Sequence, residues 1–229
     1  MNSVTQNATS PFGASLKNPG YVVVEGPIGV GKTTLAQKLS QAFGSDLMLE
    51  RPEDNPFLER FYQSRKQFAL PTQLYFLFQR ARQLQELKQG DMFRPVRVAD
   101  FLLEKDSLFA RLTLDDDEWR LYEQVYAQFS LDLPVPDLVI YLQAPVDVLM
   151  ERVRRRGNEY ERAIERAYLE SIVEGYTRFF YHYTSAPLLV VNAAEVNFVD
   201  SDQDFRMLLD HLRNIRSGRH FYNPLPAGL

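Results

Sequence analysis

The stretch VVVEGPIGVGKTTLAQKL, residues 22–39, constrains the fold of this chain more than any other segment. Gly26, Gly31, Lys32 and Thr33 satisfy the pattern G-x-x-x-x-G-K-[ST], which works only as a turn between a buried strand and the first turn of a helix. The glycines let backbone N–H groups turn inward and cup the phosphates of a nucleotide. Lys32 then reaches the terminal phosphates, and the Thr33 hydroxyl is placed to bind Mg²⁺. Gly29 and Thr34 complete the candidate nucleotide-binding set. The context fits, because the apolar run Tyr21–Glu25 precedes the loop and Leu35, Leu39 and Ala42 follow on one helical face. A glycine turn of purely structural use would lack that context.

The loop fixes the donor and leaves the acceptor open, since switch GTPases, ATPases and small-molecule kinases all use it. The chain has no guanine-reading N-K-x-D, and 229 residues are few for a mechanical ATPase. A phosphoryl transferase acting on a small acceptor suits the size.

Apolar runs at Tyr21–Glu25, Asp46–Glu50, Val96–Asp100, Asp137–Leu142 and Leu188–Asn192 read as strands buried on both faces. Longer amphipathic runs alternate with them, so the pattern predicts an α/β fold: a five-stranded parallel sheet with helices on both faces. Pro71 stands where a helix start tolerates it, followed by Leu74, Leu77, Phe78, Ala81, Leu84 and Leu87 at spacings of three and four. Pro145 opens another helix that ends near Gly157. A long helix covers about Ala163–Tyr181, and a last one Gln203–Ile215. The acidic run Asp115–Glu118 reads as charge loaded onto a helix N-terminus. The alternative reading is a metal cluster, but consecutive helical residues face different ways.

Residues 1–19 read as a flexible leader, 20–216 as one domain, and 217–229 as a C-terminal tail on the surface. The leader is polar and lacks the apolar centre of a secretory signal. No apolar run approaches the roughly 20 residues that span a bilayer. The expectation is a cytoplasmic protein with no membrane partner. A net charge of −4 argues against nucleic acid as the main partner. The absence of cysteine excludes disulfides and thiolate chemistry, and His182, His211 and His220 are too scattered to suggest a metal cluster.

In a parallel sheet, ligands bind beyond the carboxyl ends of the strands. Three of the candidate strands end in acids there, the first at Glu25 and the phosphate loop, the others at Glu50 and Asp100. A carboxylate facing an acceptor hydroxyl orients it and takes its proton, a role worth about 10²–10⁴ in rate. A second carboxylate near Thr33 holds Mg²⁺, which favours oxygen ligands. Glu50 suits the first task and Asp100 the second. A solvated strand end is the alternative for either.

At this point the residues resemble a known family. The glycine loop is followed in order by LERPEDNPFLERFY, LPTQLYFLFQRARQL, VADFLLEKDSLFA and ERVRRRGNEYE. Together these resemble the deoxynucleoside kinases, the deoxycytidine, deoxyguanosine and deoxyadenosine kinases, over about Tyr21–Asn192. The resemblance implies a P-loop nucleoside-kinase fold with a short arginine-rich lid, ATP as donor, Mg²⁺, and a homodimer. It implies that Glu50 activates the sugar 5′-hydroxyl, and that Tyr62, partnered by Glu161, holds the 3′-hydroxyl. Gln73 corresponds to a base-binding glutamine, with Arg80 and Asp106 as a pair shaping the base end of the pocket. Asp100 corresponds to the acid of a D/E-R-S motif associated with Mg²⁺, and Arg152 and Arg156 to the lid arginines. The helical spacing agrees in part: Gln73 and Arg80 are seven residues apart, two turns on one face.

Two departures stand out. Phe101 and Leu102 replace the arginine and serine of the D/E-R-S motif, and Asn158 stands where some relatives carry another lid arginine. Arg51 is the expected substitute for the missing charge. The overall expectation is phosphorylation of a deoxynucleoside: the polar Arg–Asp pair resembles the purine- and deoxycytidine-accepting branch, so deoxyadenosine or deoxyguanosine is favoured and deoxycytidine stays open. The rival readings are a nucleoside monophosphate kinase, with Arg51 in an acceptor-phosphate loop, and a nucleotide-binding regulator without turnover.

Overall fold

A computed structural model describes residues 20–89, 97–130, 134–196, 198 and 201–223. The expected leader 1–19, Val96 and the last six residues of the expected tail lie outside them. Six parallel strands form one sheet in the order β2-β3-β1-β4-β5-β6. They are β1 Tyr21–Glu25, β2 Asp46–Met48, β3 Arg97–Ala99, β4 Leu138–Gln143, β5 Leu188–Asn192 and β6 Arg219–Tyr222. β1 is buried at every residue and lies between β3 and β4, pairing Val23 with Ala99 on one side and with Val139 on the other. The chain runs from β1 to the β2 edge and later fills the opposite side. The strand order therefore turns at β1, where a crevice opens beyond the strand ends.

Successive strand residues point to opposite faces, and the core divides accordingly. Val22, Val24, Val98, Ile140 and Leu189 pack with Leu35 and Leu39 of α1 (Lys32–Phe43) and, further along the sheet, Leu149 of α6 (Val146–Arg156) and Leu208 of α8 (Asp202–Leu212). Val23, Ala99, Val139, Tyr141 and Val190 face the other way. Their layer comprises α2 (Leu58–Gln63), α3 (Arg65–Gln89), α4 (Asp106–Thr113), α5 (Asp116–Ser130) and α7 (Arg166–His182), through residues such as Phe61, Leu77, Ala110, Tyr122 and Tyr176. Helices thus cover both faces, as the apolar strands require.

Three expectations need correction. The second strand ends at Met48 and is exposed at Asp46 and Leu47, because it lies at the edge of the sheet and not buried on both faces. The sheet has six strands, not five, because residues 219–222 of the presumed tail pair in parallel with β5, His220 opposite Leu189. Its residues alternate between exposed and half-buried, the pattern of an edge strand rather than of a buried run, so no continuous apolar signal marks it. Pro71 also lies inside α3, six residues past its start. An interior proline costs about 3 kcal/mol. The turns before it nevertheless bury Ala69 completely and pack Phe68 and Leu70 on the core, which offsets that cost. In the acidic run, Asp115 Oδ1 accepts from the N–H groups of Asp117 and Glu118 at 3.0 and 2.9 Å. It is a helix cap.

Candidate active site

The glycine loop follows β1 and lies close against its neighbours. A Cβ at Gly26 would sit 2.4 Å from the carbonyl oxygen of Leu142, in β4. Gly29 has φ +83°, and a Cβ there would meet Leu149 O at 2.9 Å and Val153 Cγ2 at 2.8 Å, both in α6. Only glycine permits these approaches together with that backbone angle. Lys32 Nζ curls back to donate to the carbonyls of Gly26 at 2.8 Å and Pro27 at 3.3 Å. Burial, and then repulsion from Lys105, lower its pKa from the usual lysine range. An anionic phosphate in the loop would relieve both effects.

Thr33, Asp100 and Glu50 are joined across three elements. Thr33 Oγ1 donates to Asp100 Oδ2 at 2.5 Å, while Asp100 Oδ1 accepts the backbone N–H of Glu50 at 2.7 Å. Burial raises the Asp100 pKa against the opposing pull of the Thr33 hydrogen bond. Thr33 and Asp100 offer hard oxygen donors beside the phosphate loop, and no cluster of three His, Asp or Glu able to hold an ion occurs among the described residues. That donor set suits Mg²⁺, which takes one or two protein oxygens and completes its shell with phosphate and water.

Glu50 carries a charge fixed from two sides. Arg80 Nε donates to Glu50 Oε1 at 2.8 Å and its Nη2 reaches the same oxygen, while Nη1 pairs with Asp106 Oδ1. Lys105 Nζ lies 3.6 Å from Glu50 Oε1. Burial opposes ionisation of Glu50, but Arg80, Lys105 and Lys32 outweigh it and hold the carboxyl at about 2. It is therefore a charged acceptor of hydrogen bonds and a weak base. Asp106, 1% exposed, keeps Oδ2 buried with no hydrogen-bond partner.

Two cavities meet at the loop. One, of about 320 Å³, is lined by Glu50, Tyr62, Gln73, Arg80, Asp100 and Glu161, with Lys32, Thr33, Lys105 and Arg156 also at its wall. The second, of about 260 Å³, is lined by Gly29, Gly31, Lys32, Thr33, Thr34 and Arg152, among others, and closed by Ala193, Val196 and Phe198. Gly29, Lys32, Thr33 and Arg156 belong to both. Gln73 Nε2 donates to Thr113 Oγ1 at 3.3 Å, which orients its amide from the end of α4. Tyr62 packs tilted against Phe61 and edge-on against Tyr168, and burial, with smaller contributions from Tyr168 and Glu161, keeps its hydroxyl protonated.

The arginines are occupied in ways the sequence did not foreshadow. Arg156 is paired bidentately with Glu161, Nε to Oε2 at 2.9 Å and Nη2 to Oε1, so the carboxylate read as a partner of Tyr62 holds the lid arginine. Arg152 donates to the carbonyls of Ala193 at 2.8 Å and Val30 at 3.3 Å, clamping α6 to the glycine loop. Arg51 is exposed and lines a separate surface cavity with Asp54, Gln79 and Arg82. It neither supplies charge to Glu50 nor reaches into the cleft, which corrects both readings of it. The cations beside Glu50 are Arg80 and, as the one unforeseen, Lys105. Sequence reading passed over Lys105 and gave no role to Glu25, its second partner, because neither belongs to a local pattern. The signal available was a lysine and a strand-end acid placed among apolar neighbours.

Residues 22–216 match the family model described as deoxynucleoside kinase. The chain is 34% identical over 204 residues to a deoxyguanosine kinase of Bacillus subtilis, covering 85% of this chain and 97% of that protein. It is 28% identical over 205 residues to a deoxyadenosine kinase of Dictyostelium discoideum, covering 86% and 80%. The fold is similar to that of a deoxyadenosine kinase from M. mycoides with bound dATP, with a TM-score of 0.74 at 24% identity over 85% of this chain and 99% of that one.

Proposed function

The chain belongs to the deoxynucleoside kinase family, and from that premise we propose how its residues work and what they accept. It is a phosphotransferase that uses ATP to phosphorylate a deoxynucleoside, with a purine preference, in nucleotide salvage. The finer reading places the sugar 5′-hydroxyl against Glu50 and the ATP phosphates in the glycine loop. One observation carries it: Glu50 and Lys32 share a cavity that continues, through Gly29, Lys32, Thr33 and Arg156, into a second one built around the loop. Acceptor and donor halves thus meet at one seam.

Phosphoryl transfer leaves the protein mainly positioning and charge stabilisation to supply. Glu50, ionised throughout the physiological range, aligns the hydroxyl and accepts its proton late, as the new bond forms. The loop N–H groups, Lys32, Arg152 and Arg156 neutralise charge on the moving group. Thr33 and Asp100 would hold Mg²⁺, which when bound supplies further neutralisation at the phosphates. Tyr62, kept protonated, donates to the 3′-hydroxyl from the same wall as Glu161. Gln73 reads the base edge beside Arg80, which Asp106 holds from behind the cavity wall without lining the cleft itself. The proposal includes a homodimer working in the cytoplasm.

The deciding experiment offers the purified protein deoxyguanosine, deoxyadenosine, deoxycytidine, thymidine and the corresponding monophosphates, each with ATP and Mg²⁺. Purine deoxynucleosides are expected to exceed thymidine in kcat/KM by about tenfold or more. Activity confined to monophosphates would overturn the assignment of the acceptor. The exposed position of Arg51, outside the cleft, speaks against that rival.

A further inference from the structure

Lys105 is 2% exposed, in the turn that follows β3. A buried ammonium costs stability unless fully paired, and an apolar side chain of similar size commonly serves a core as well or better. Its partners show what the charge accomplishes. Nζ lies 3.3 and 3.4 Å from the two carboxylate oxygens of Glu25 and 3.6 Å from Oε1 of Glu50. Glu25 ends β1, is fully buried, and is fixed by three further donors: the N–H of Gly26 at 2.8 Å, the N–H of Leu102 at 2.7 Å and the hydroxyl of Tyr176 at 2.8 Å. It is a rigid post at the root of the phosphate loop. Glu50 sits two residues beyond β2, which leaves it with less backbone support. Arg80 and Lys105 both approach its Oε1, and among the described residues no hydrogen bond reaches Oε2. The two cations together occupy one oxygen and leave the other for the cavity.

We propose that Lys105 is a positioning residue for phosphoryl transfer, its ammonium tying the Glu25 post to Oε1 of Glu50 and so setting the acceptor carboxylate against the phosphate loop. The inference rests on Glu50 being the carboxylate that faces the acceptor. Arg80 cannot replace this link, because it anchors Glu50 to Asp106 on the base side, whereas Lys105 anchors it to the donor side.

The test is steady-state kinetics with ATP, Mg²⁺ and deoxyguanosine on Lys105→Met, Lys105→Arg, Glu25→Gln, Glu25→Gln/Lys105→Met and Glu50→Gln, with thermal melts of each. Loss of alignment at a reacting centre costs about 100-fold, so Lys105→Met should lower kcat by that order while both KM values stay within about threefold. Lys105→Arg should recover about tenfold of the loss, because it restores the bridging charge. Glu25→Gln and Lys105→Met break the same link, so the double variant should match Lys105→Met alone rather than multiply the two losses. A folded Lys105→Met with near-normal kcat, a loss confined to KM, an arginine variant no better than methionine, or multiplicative losses would each overturn the proposal. If Lys105→Met does not fold, the double variant decides, since it leaves no orphaned buried charge. A double-variant kcat about 100-fold below the native value and equal to that of Glu25→Gln supports the link, and a near-normal kcat, or one about tenfold below Glu25→Gln, refutes it. A near-normal Glu50→Gln would instead sink the assignment of Glu50, and this inference with it. An inactive Glu50→Gln beside a normal Lys105→Met sinks this inference alone.

Discussion

Replacing Arg80 by Met removes the cation that Glu50 and Asp106 share, and the structure gives the size and sign of the consequence. Arg80 is 5% exposed at its side chain, Glu50 16% and Asp106 2%, so water compensates little. Breaking one side of a buried ion pair costs about 3–5 kcal/mol. Against the opposing effect of burial, Arg80 is the leading cation that holds Glu50 at about 2 against an ordinary 4.5, with Lys105 and Lys32 behind it. For a chain of this length the melting temperature should fall by about 6–20 °C. The sign with pH separates this account from simple loss of packing. In the native protein the depressed Glu50 carboxyl contributes stability above about pH 4.5, lost as the pH falls towards 2. In the variant, protonation relieves the orphaned negative charge, so its deficit relative to the native protein should shrink between about pH 7 and pH 5. Calorimetric melts of both proteins at the two pH values measure this. A deficit under about 1 kcal/mol at neutral pH, or one that stays constant on acidification, would refute the argument.

Three other variants probe the rest of the site. Glu50→Gln should lower turnover by about 10²–10⁴ while ATP affinity, measured by calorimetric titration, stays within a few-fold; equal loss of both would mean the substitution disturbs the loop. Asp100→Asn removes a carboxylate whose charge burial disfavours. Its melting temperature should be unchanged or higher while half-saturation by Mg²⁺ rises about tenfold or more, a trade between stability and function. Gly29→Ala forces a Cβ to 2.9 Å from Leu149 O at a positive φ. It should cost about 1–3 kcal/mol in a melt and weaken ATP binding more than deoxynucleoside binding.

What the sequence alone determined is what depends on neighbours along the chain. The residues of β1 and β5 follow from apolar runs buried on both faces, and the glycine loop from spacing that no other backbone tolerates. The extent of α6 follows from Pro145 at its start and the left-handed Gly157 at its end. Gln73 and Arg80 share a face because two helical turns separate them, and the structure brings both to the cleft. Tertiary structure decided the rest. β6 exists because β5 offers an unpaired edge, and its half-exposed residues carry no signal of their own. Pro71 stays inside α3 because core contacts outweigh a local penalty. Above all, the partners of the charges were not legible: Arg156 with Glu161, Arg80 with both Glu50 and Asp106, and Lys105 with Glu25, eighty residues away. Electrostatic pairing acts through space in a medium from which water has been removed. Only the folded chain therefore settles which cation faces which acid.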